Sequence, residues 1–210
     1  MNYGLKTMNY IVGIDEVGRG PLAGPVSVGI VVVAKDFDYS VFGTFGDSKK
    51  MTETARERVH TLATEVRDHG GMQFGVFSVN ADQIDKQGIV SCIALATEEG
   101  LADLAVDPAT SFVYLDGSLR APRQYRQESL VRGDSLVPAI SLASVVAKVE
   151  RDRYMTSVAH SEYPAYGFDS HKGYGTKAHY AALYTHGLSP LHRRSFLKSA
   201  GLGFLAFGLP

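Results

Sequence analysis

Asp15 and Glu16 stand side by side at the end of an apolar run and lead into the glycine-rich stretch Gly18-Arg19-Gly20-Pro21-Leu22-Ala23-Gly24-Pro25. Carboxylates at the edge of a core need a partner or a cation. Glycines let backbone N–H groups come close to an anionic ligand. Asp116 follows the apolar Phe112-Val113-Tyr114-Leu115, and Asp134 lies in Arg132-Gly133-Asp134-Ser135, just ahead of a long helical pattern. Singly, each is an ordinary turn or capping aspartate. Four acids at strand or loop ends that converge on one sheet edge would form an all-oxygen site. Such a site suits Mg²⁺ or Mn²⁺, ions that also bind phosphate oxygens. Without a cation, mutual repulsion would force some of the four to protonate.

Other residues could serve a phosphate-bearing substrate. Asp47-Ser48-Lys49-Lys50 precedes a helix start and offers a hydroxyl and two ammonium groups, either as a phosphate grip or as a solvated loop. Ser141, Ser144, Lys148 and Arg151 share one helix face, which could meet a nucleic-acid backbone or the acid cluster. His171-Lys172-Gly173-Tyr174-Gly175 exposes an aromatic between two glycines, suited to stacking on a sugar or base. Gly18-x-Gly20-x-x-Ala23 matches a dinucleotide-binding fingerprint, but that fingerprint needs a helix at the turn. Here Pro21 and Pro25 flank a short connection into a second strand, and Asp15 and Glu16 would repel a pyrophosphate. The dinucleotide reading is rejected.

The elements that must position these residues follow from apolar spacing. Residues 9–15, 25–34, 72–79 and 111–115 read as strands, and 130–137 as the last one. Helices are expected over 52–69, 82–104 (one or two), 141–160 and 175–186; the stretch from Ser189 shows no regular pattern. Two adjacent strands followed by strand–helix alternation give an α/β protein with a mixed sheet covered by helices. The closing GLGFLAFGLP is apolar but too short to span a membrane.

At 210 residues the chain is long enough for a real core, and its single cysteine, Cys92, excludes an internal disulfide and reads as a small buried apolar residue. No signal peptide or membrane span is apparent, so a cytoplasmic protein is expected. The net charge of −1 hides an asymmetry. Residues 1–119 carry 9 Lys/Arg against 16 Asp/Glu, whereas 120–210 carry 12 against 6. The basic excess around the long helix, the Tyr174 loop and Arg193-Arg194 predicts a basic face for nucleic acid.

Six segments, in order, resemble ribonuclease HII, the type 2 ribonuclease H family. They are GIDEVGRGPLAGPV at Gly13–Val26, DSKK at Asp47–Lys50 and YLDG at Tyr114–Gly117. GDSLVPAISLASVVAKVERDR at Gly133–Arg153, YGFDSHKGY at Tyr166–Tyr174 and HGLSPLHRRSF at His186–Phe196 complete the set. The resemblance implies a ribonuclease H-like fold, a mixed five-stranded sheet flanked by helices. It places a catalytic core over residues 1–160 and a C-terminal helical extension over 161–210. It implies Asp15, Glu16, Asp116 and Asp134 as catalytic acids that hold two divalent ions, Mg²⁺ or Mn²⁺. Gly18, Arg19 and Gly20 would surround the ribonucleotide and sense its 2′-OH, and Tyr174 would stack on the following sugar. Ser48, Lys49, Lys50, His171 and Lys172 are the further substrate contacts, with Lys148 placed beside the acids.

The implied partners are RNA·DNA hybrids and duplex DNA containing ribonucleotides, bound by a monomer without a membrane. The reaction would cut the RNA strand, or nick 5′ of a single embedded ribonucleotide, leaving a 3′-hydroxyl and a 5′-phosphate. A sliding-clamp contact at the C-terminus stays open, because the tail carries no motif that names one. Ribonuclease HIII, without junction recognition, is the nearest alternative. A short N-terminus and the Gly18-Arg19-Gly20 turn speak for type HII. A non-catalytic hybrid-binding module is disfavoured, since four carboxylates only weaken phosphate binding unless metal is present.

Overall fold

A continuous buried run, Val12 to Asp15, marks Tyr10–Val17 as the first strand, β1, and eight of the nine residues of Val26–Ala34, β2, are buried. The computed structural model describes residues 8–199, so the apolar C-terminal tail and any clamp contact there lie outside the described residues. β1 and β2 run antiparallel, from Tyr10 opposite Ala34 to Val17 opposite Ser27. The remaining strands are β3 (Gln73–Val79), β4 (Ser111–Asp116) and β5 (Arg126–Leu130), and the sheet order is β3-β2-β1-β4-β5. β4 pairs in parallel with both β1 and β5, so the sheet is mixed and five-stranded, as expected.

The helices are α1 (Glu53–Asp68), α2 (Ala81–Gln87), α3 (Ile89–Asp103), α4 (Pro138–Arg153), α5 (His160–Glu162), α6 (Phe168–His171), α7 (Lys177–His186) and α8 (Arg194–Ser199). Side-chain caps set three starts: Thr52, Asn80 and Thr176 accept from the backbone N–H three residues on, at 3.2, 2.9 and 3.2 Å. Three expectations change. The last strand is Arg126–Leu130, while 133–135 form a 3₁₀ turn, because Gly133 and Asp134 break the apolar run. The long helix passes into a π-helical segment over Tyr154–Ala159. The stretch after Ser189 ends in a short helix, started with the help of Asp85, which accepts from Arg194 N and Ser195 N at 2.8 and 2.9 Å.

The described chain groups into two compact units. The first comprises 8–17, 27–77 and 94–149; the second comprises 18–26, 78–93 and 150–199. No single cut, at 160 or elsewhere, reproduces that grouping. The core of the first unit joins Val31 and Val33 of β2, Val59 and Ala63 of α1, and Val145 and Val149 of α4. The second packs Leu22 and Ala23 with Met155, Phe168, Leu183 and Leu197. Cys92 is fully buried, as expected of a small apolar side chain. No described helix is long and apolar enough to cross a membrane.

Candidate active site

Parallel pairing of β1 with β4 aligns Ile14 with Leu115, and the next residue on each strand is an acid, Asp15 and Asp116. One further strand out, β5 ends level with Asp116 at Leu130, and the turn after it brings back Asp134, whose N–H donates to Asp116 Oδ1 at 3.4 Å. Strand register and one turn therefore gather Asp15, Asp116 and Asp134 at one end of the sheet, with Glu16 beside Asp15. A close approach supports the arrangement: a Cβ on Gly13 would fall on the backbone of Ala139 and Ile140, so only glycine lets β1 lie against the start of α4. From α4, Ser141 Oγ donates to Asp134 O, and Ser144 hydrogen-bonds the Asp15 carboxylate.

Burial pushes the Asp15 carboxyl up to about 7; Glu16 and Asp116 add to the rise, while the Ser144 hydroxyl and the Glu16 N–H oppose it. Asp134 is raised as well, first by burial and then by Asp116 and Asp47, with Lys49 pulling the other way. Burial is thus the main cause in both, and the neighbouring carboxylates add to it. Among the described residues, no three Asp, Glu, His or Cys side chains are drawn together tightly enough to hold an ion as they stand. The donor set nevertheless fits a hard divalent cation: it is all oxygen, it is partly desolvated, and its own repulsion is what a cation would relieve.

The Asp47–Lys50 turn belongs to the same unit. Ser48 is buried and exchanges a hydrogen bond with Ser144 Oγ at 2.8 Å, while its carbonyl accepts from Arg56 Nη1 at 2.9 Å. That hydroxyl is spent inside the protein, and the turn presents Lys49 and Lys50 instead; Lys50 Nζ lies 3.2 Å from Asp47. Lys148 is half-buried on α4, one turn after Ser144.

The second unit holds the other predicted residues around the Gly18–Pro25 turn. Gly18 has φ 80°, and a Cβ there would strike the Arg151 guanidinium, whereas the space beside Gly20 is open. Two fully buried arginines hold this turn by its carbonyls. Arg193 donates from Nε to Gly24 O at 3.0 Å, from Nη1 to Arg19 O at 3.1 Å and from Nη2 to Gly18 O at 2.6 Å. Arg151 donates to Pro25 O, Ala23 O and Lys172 O at 2.8, 3.2 and 3.1 Å. Burial, reinforced by Arg151, drops Arg193 to about 9. This corrects the expected basic face: Arg151 and Arg193 are interior residues, and sequence spacing gives no sign of it because most of the bonded carbonyls lie more than a hundred residues away.

Tyr174 is exposed, and its loop is fixed from below by histidines. Ser189 N–H donates to His192 Nδ1 at 2.9 Å, so the proton of His192 sits on Nε2 and is donated to His179 Nε2 at 3.0 Å. His179 Nδ1 then donates to Tyr174 O at 2.9 Å. Burial drops His179 to about 4 and His192 to about 3, each helped by its histidine neighbours. His171 stacks on His179 with centroids 4.4 Å apart, accepts from Gly173 N at 3.2 Å and donates to Tyr166 O at 2.7 Å. Both ring nitrogens of His171 are engaged within the protein, which suits positioning rather than phosphate contact. Lys172 Nζ donates to Asp169 O, and Arg19 is exposed.

The ribonuclease H2 of Pyrococcus horikoshii OT3 shares this fold at a TM-score of 0.71, with 22% identity over 93% of this chain and 97% of that one. Bst-RNase HIII in complex with Mn²⁺ does so at 0.56, with 18% identity over 86% and 71%. The fold is thus that of the type 2 ribonucleases H. Ribonuclease HII of Bacillus mycoides is 41% identical over 191 residues, covering 91% of this chain and 70% of that protein. The family model of ribonuclease HII matches residues 12–199. The chain belongs to the ribonuclease HII family, metal-dependent endoribonucleases that cleave the RNA strand of RNA·DNA hybrids.

Proposed function

We propose that this chain hydrolyses the RNA strand of RNA·DNA hybrids and also nicks duplex DNA on the 5′ side of a single embedded ribonucleotide. The carrying observation is the buried Asp15 at the shared end of β1 and β4, raised to about 7 among Glu16 and Asp116. Asp15, Glu16, Asp116 and Asp134 would hold two divalent ions, Mg²⁺ or Mn²⁺. When bound, such ions activate water and stabilise the charge on the leaving oxygen. Water oxygen bonds to phosphorus as the bond from phosphorus to the 3′ oxygen breaks, leaving a 3′-hydroxyl and a 5′-phosphate. Ser144 fixes the Asp15 carboxylate, Ser141 fixes the Asp134 backbone, and Lys49 favours the ionised form of Asp134. Lys49 and Lys50 contact substrate phosphates.

Gly18, Arg19 and Gly20 read the ribonucleotide, with the carbonyls of Gly18 and Arg19 turned onto Arg193 and Gly20 open to a ribose. Tyr174 stacks on the next sugar. The protein acts as a cytoplasmic monomer.

Incubation with a one-ribonucleotide duplex, with and without Mg²⁺ or Mn²⁺, followed by mapping of the cut, tests this reading. One metal-dependent nick 5′ of the ribonucleotide is expected. Cleavage of a continuous hybrid with the one-ribonucleotide duplex left intact would remove the junction assignment and leave the nuclease.

A further inference from the structure

β5 closes one edge of the sheet, next to the strand that carries Asp116. An edge strand has to blunt its unpaired backbone groups, and charge of either sign does so. Here one sign dominates. Arg120, Arg123, Arg126 and Arg132 are all exposed and share the segment with a single acid, Glu128, in a chain whose net charge is −1.

The segment is a braced platform. Gln127 donates to Ala121 O at 2.9 Å and accepts from Ala121 N at 2.9 Å, and Tyr125 donates from its hydroxyl to Val106 O at 3.0 Å. Arg120 donates to Leu119 O at 2.8 Å and to the Ser129 hydroxyl. Strand register orders the cations against the acids. Arg126 pairs with Phe112 and Leu130 with Asp116, which sets Arg126 about 13 Å behind the acid end at roughly 3.3 Å per residue. Arg132 follows Leu130 by two residues and precedes Asp134 by two.

Arg132 has φ 58° and ψ 40°, a left-handed conformation that side-chain-bearing residues seldom hold. Backbone stability alone would favour glycine there. An exposed arginine held in that conformation beside a candidate catalytic acid points to a ligand for its guanidinium.

We propose that Arg123, Arg126 and Arg132, together with Arg120, form a track for the sugar–phosphate backbone of the duplex flanking the cut. This deepens, and rests on, the reading of Asp15, Glu16, Asp116 and Asp134 as a nuclease site. From Arg126 to Arg132 the track spans at most about 20 Å, which at roughly 3.4 Å of duplex axis per nucleotide of one strand is about six base pairs. Its contribution is electrostatic and independent of sequence.

The test is fluorescence anisotropy of a labelled RNA·DNA hybrid of about 20 base pairs, titrated in EDTA so that nothing is cut, between about 50 and 200 mM salt. For the triple variant Arg123→Ala/Arg126→Ala/Arg132→Ala, Kd rises roughly tenfold or more. The slope of log affinity against log salt becomes shallower by about two to three, close to 0.9 for each phosphate no longer neutralised. The corresponding triple lysine variant keeps the charge and the slope.

Arg132→Gly guards against a folding artefact. Glycine accepts the left-handed backbone, so this variant melts no lower than the parent yet binds about twofold to fivefold more weakly. Unchanged Kd and slope in the alanine triple and in Arg132→Gly would overturn the track and leave the arginines as edge guards. Failure of the parent protein to cut the hybrid with Mg²⁺ or Mn²⁺, or cutting by Asp15→Asn, would instead remove the nuclease-site reading. That outcome is separate from the binding result.

Discussion

The acid end of the sheet and the Gly18–Pro25 turn are built in opposite ways. At the acid end the chemistry sits in side chains, and the backbone that carries them is ordinary strand and turn, placed by register and by the Gly13 approach to α4. At the turn the backbone is the surface proposed to read the substrate, and side chains are the scaffold: Arg151 and Arg193 direct their guanidinium hydrogen bonds onto carbonyls. The first arrangement holds desolvated carboxylates, with a smaller mutual repulsion, that a cation would stabilise. The second buries two cations whose hydrogen bonds are supplied by the protein. A site awaiting a cation is intrinsically strained, whereas a surface meant to hold one shape is satisfied in advance.

Four measurements would break or sharpen that contrast. The largest effect belongs to Asp15→Asn, which should cut hybrid cleavage by about a thousandfold or more, as expected from losing several kcal/mol of charge stabilisation. In metal-free protein the same change should help folding. The native Asp15 pKa of about 7 lies above the ordinary 3.8, so its contribution to stability is present below pH 3.8 and is lost as pH rises through 7. Removing the charge should therefore stabilise the apo protein by about 2 kcal/mol at pH 8, read by urea unfolding in EDTA. A variant destabilised under those conditions would refute the unfavourable burial of the Asp15 charge.

Arg193→Leu comes next, with about 3–5 kcal/mol of stability lost, because three buried carbonyls lose their donors. Nicking of the one-ribonucleotide duplex should suffer more than cleavage of a continuous hybrid. Equal losses on both substrates would mean that the turn serves only the fold.

Acid should undo the Tyr174 support. His179 and His192 have native pKa values of about 4 and about 3, below the ordinary 6.5, so their neutral forms contribute stability that is present above pH 6.5. That contribution is lost as pH falls towards 4 and 3, by roughly 3 kcal/mol between pH 7 and 5. Thermal melts across that range, compared with a His179→Gln/His192→Gln variant, would reveal it as a flattened pH dependence. The smallest effect is Gly13→Ala, where overpacking against Ala139 should cost about 1–3 kcal/mol and lower cleavage in step.

Much of the acid end is legible in the sequence. Asp15 and Asp116 announce themselves because each closes or follows an apolar run that reads as a strand, whereas by composition Asp152 competes with Asp134 and only the family resemblance selects Asp134. Apolar pattern misplaces the last strand, because Leu130–Val137 looks apolar while the pairing partner of β4 is the polar Arg126–Leu130, whose edge position relaxes the usual apolar demand. Ser48 has the look of a phosphate contact and is instead bonded to Ser144, since a hydroxyl in a lysine-rich turn carries no mark of which side is buried. Arg151 and Arg193 pass for surface cations for a related reason. Their carbonyl partners are backbone groups, and backbone groups leave no trace in side-chain spacing.

The Arg193 clamp also dictates an order of events as the chain is made. Every stretch of the acid-bearing unit has been synthesised by residue 149, but Gly18 and Arg19 wait for a guanidinium about 175 residues downstream. At roughly 5–20 residues per second, the intervening 44 residues take about 2 to 9 seconds. For those seconds the nascent polypeptide carries all four acids while the carbonyls of Gly18, Arg19 and Gly24 still lack their Arg193 donor, so this part of the turn is the last to be secured.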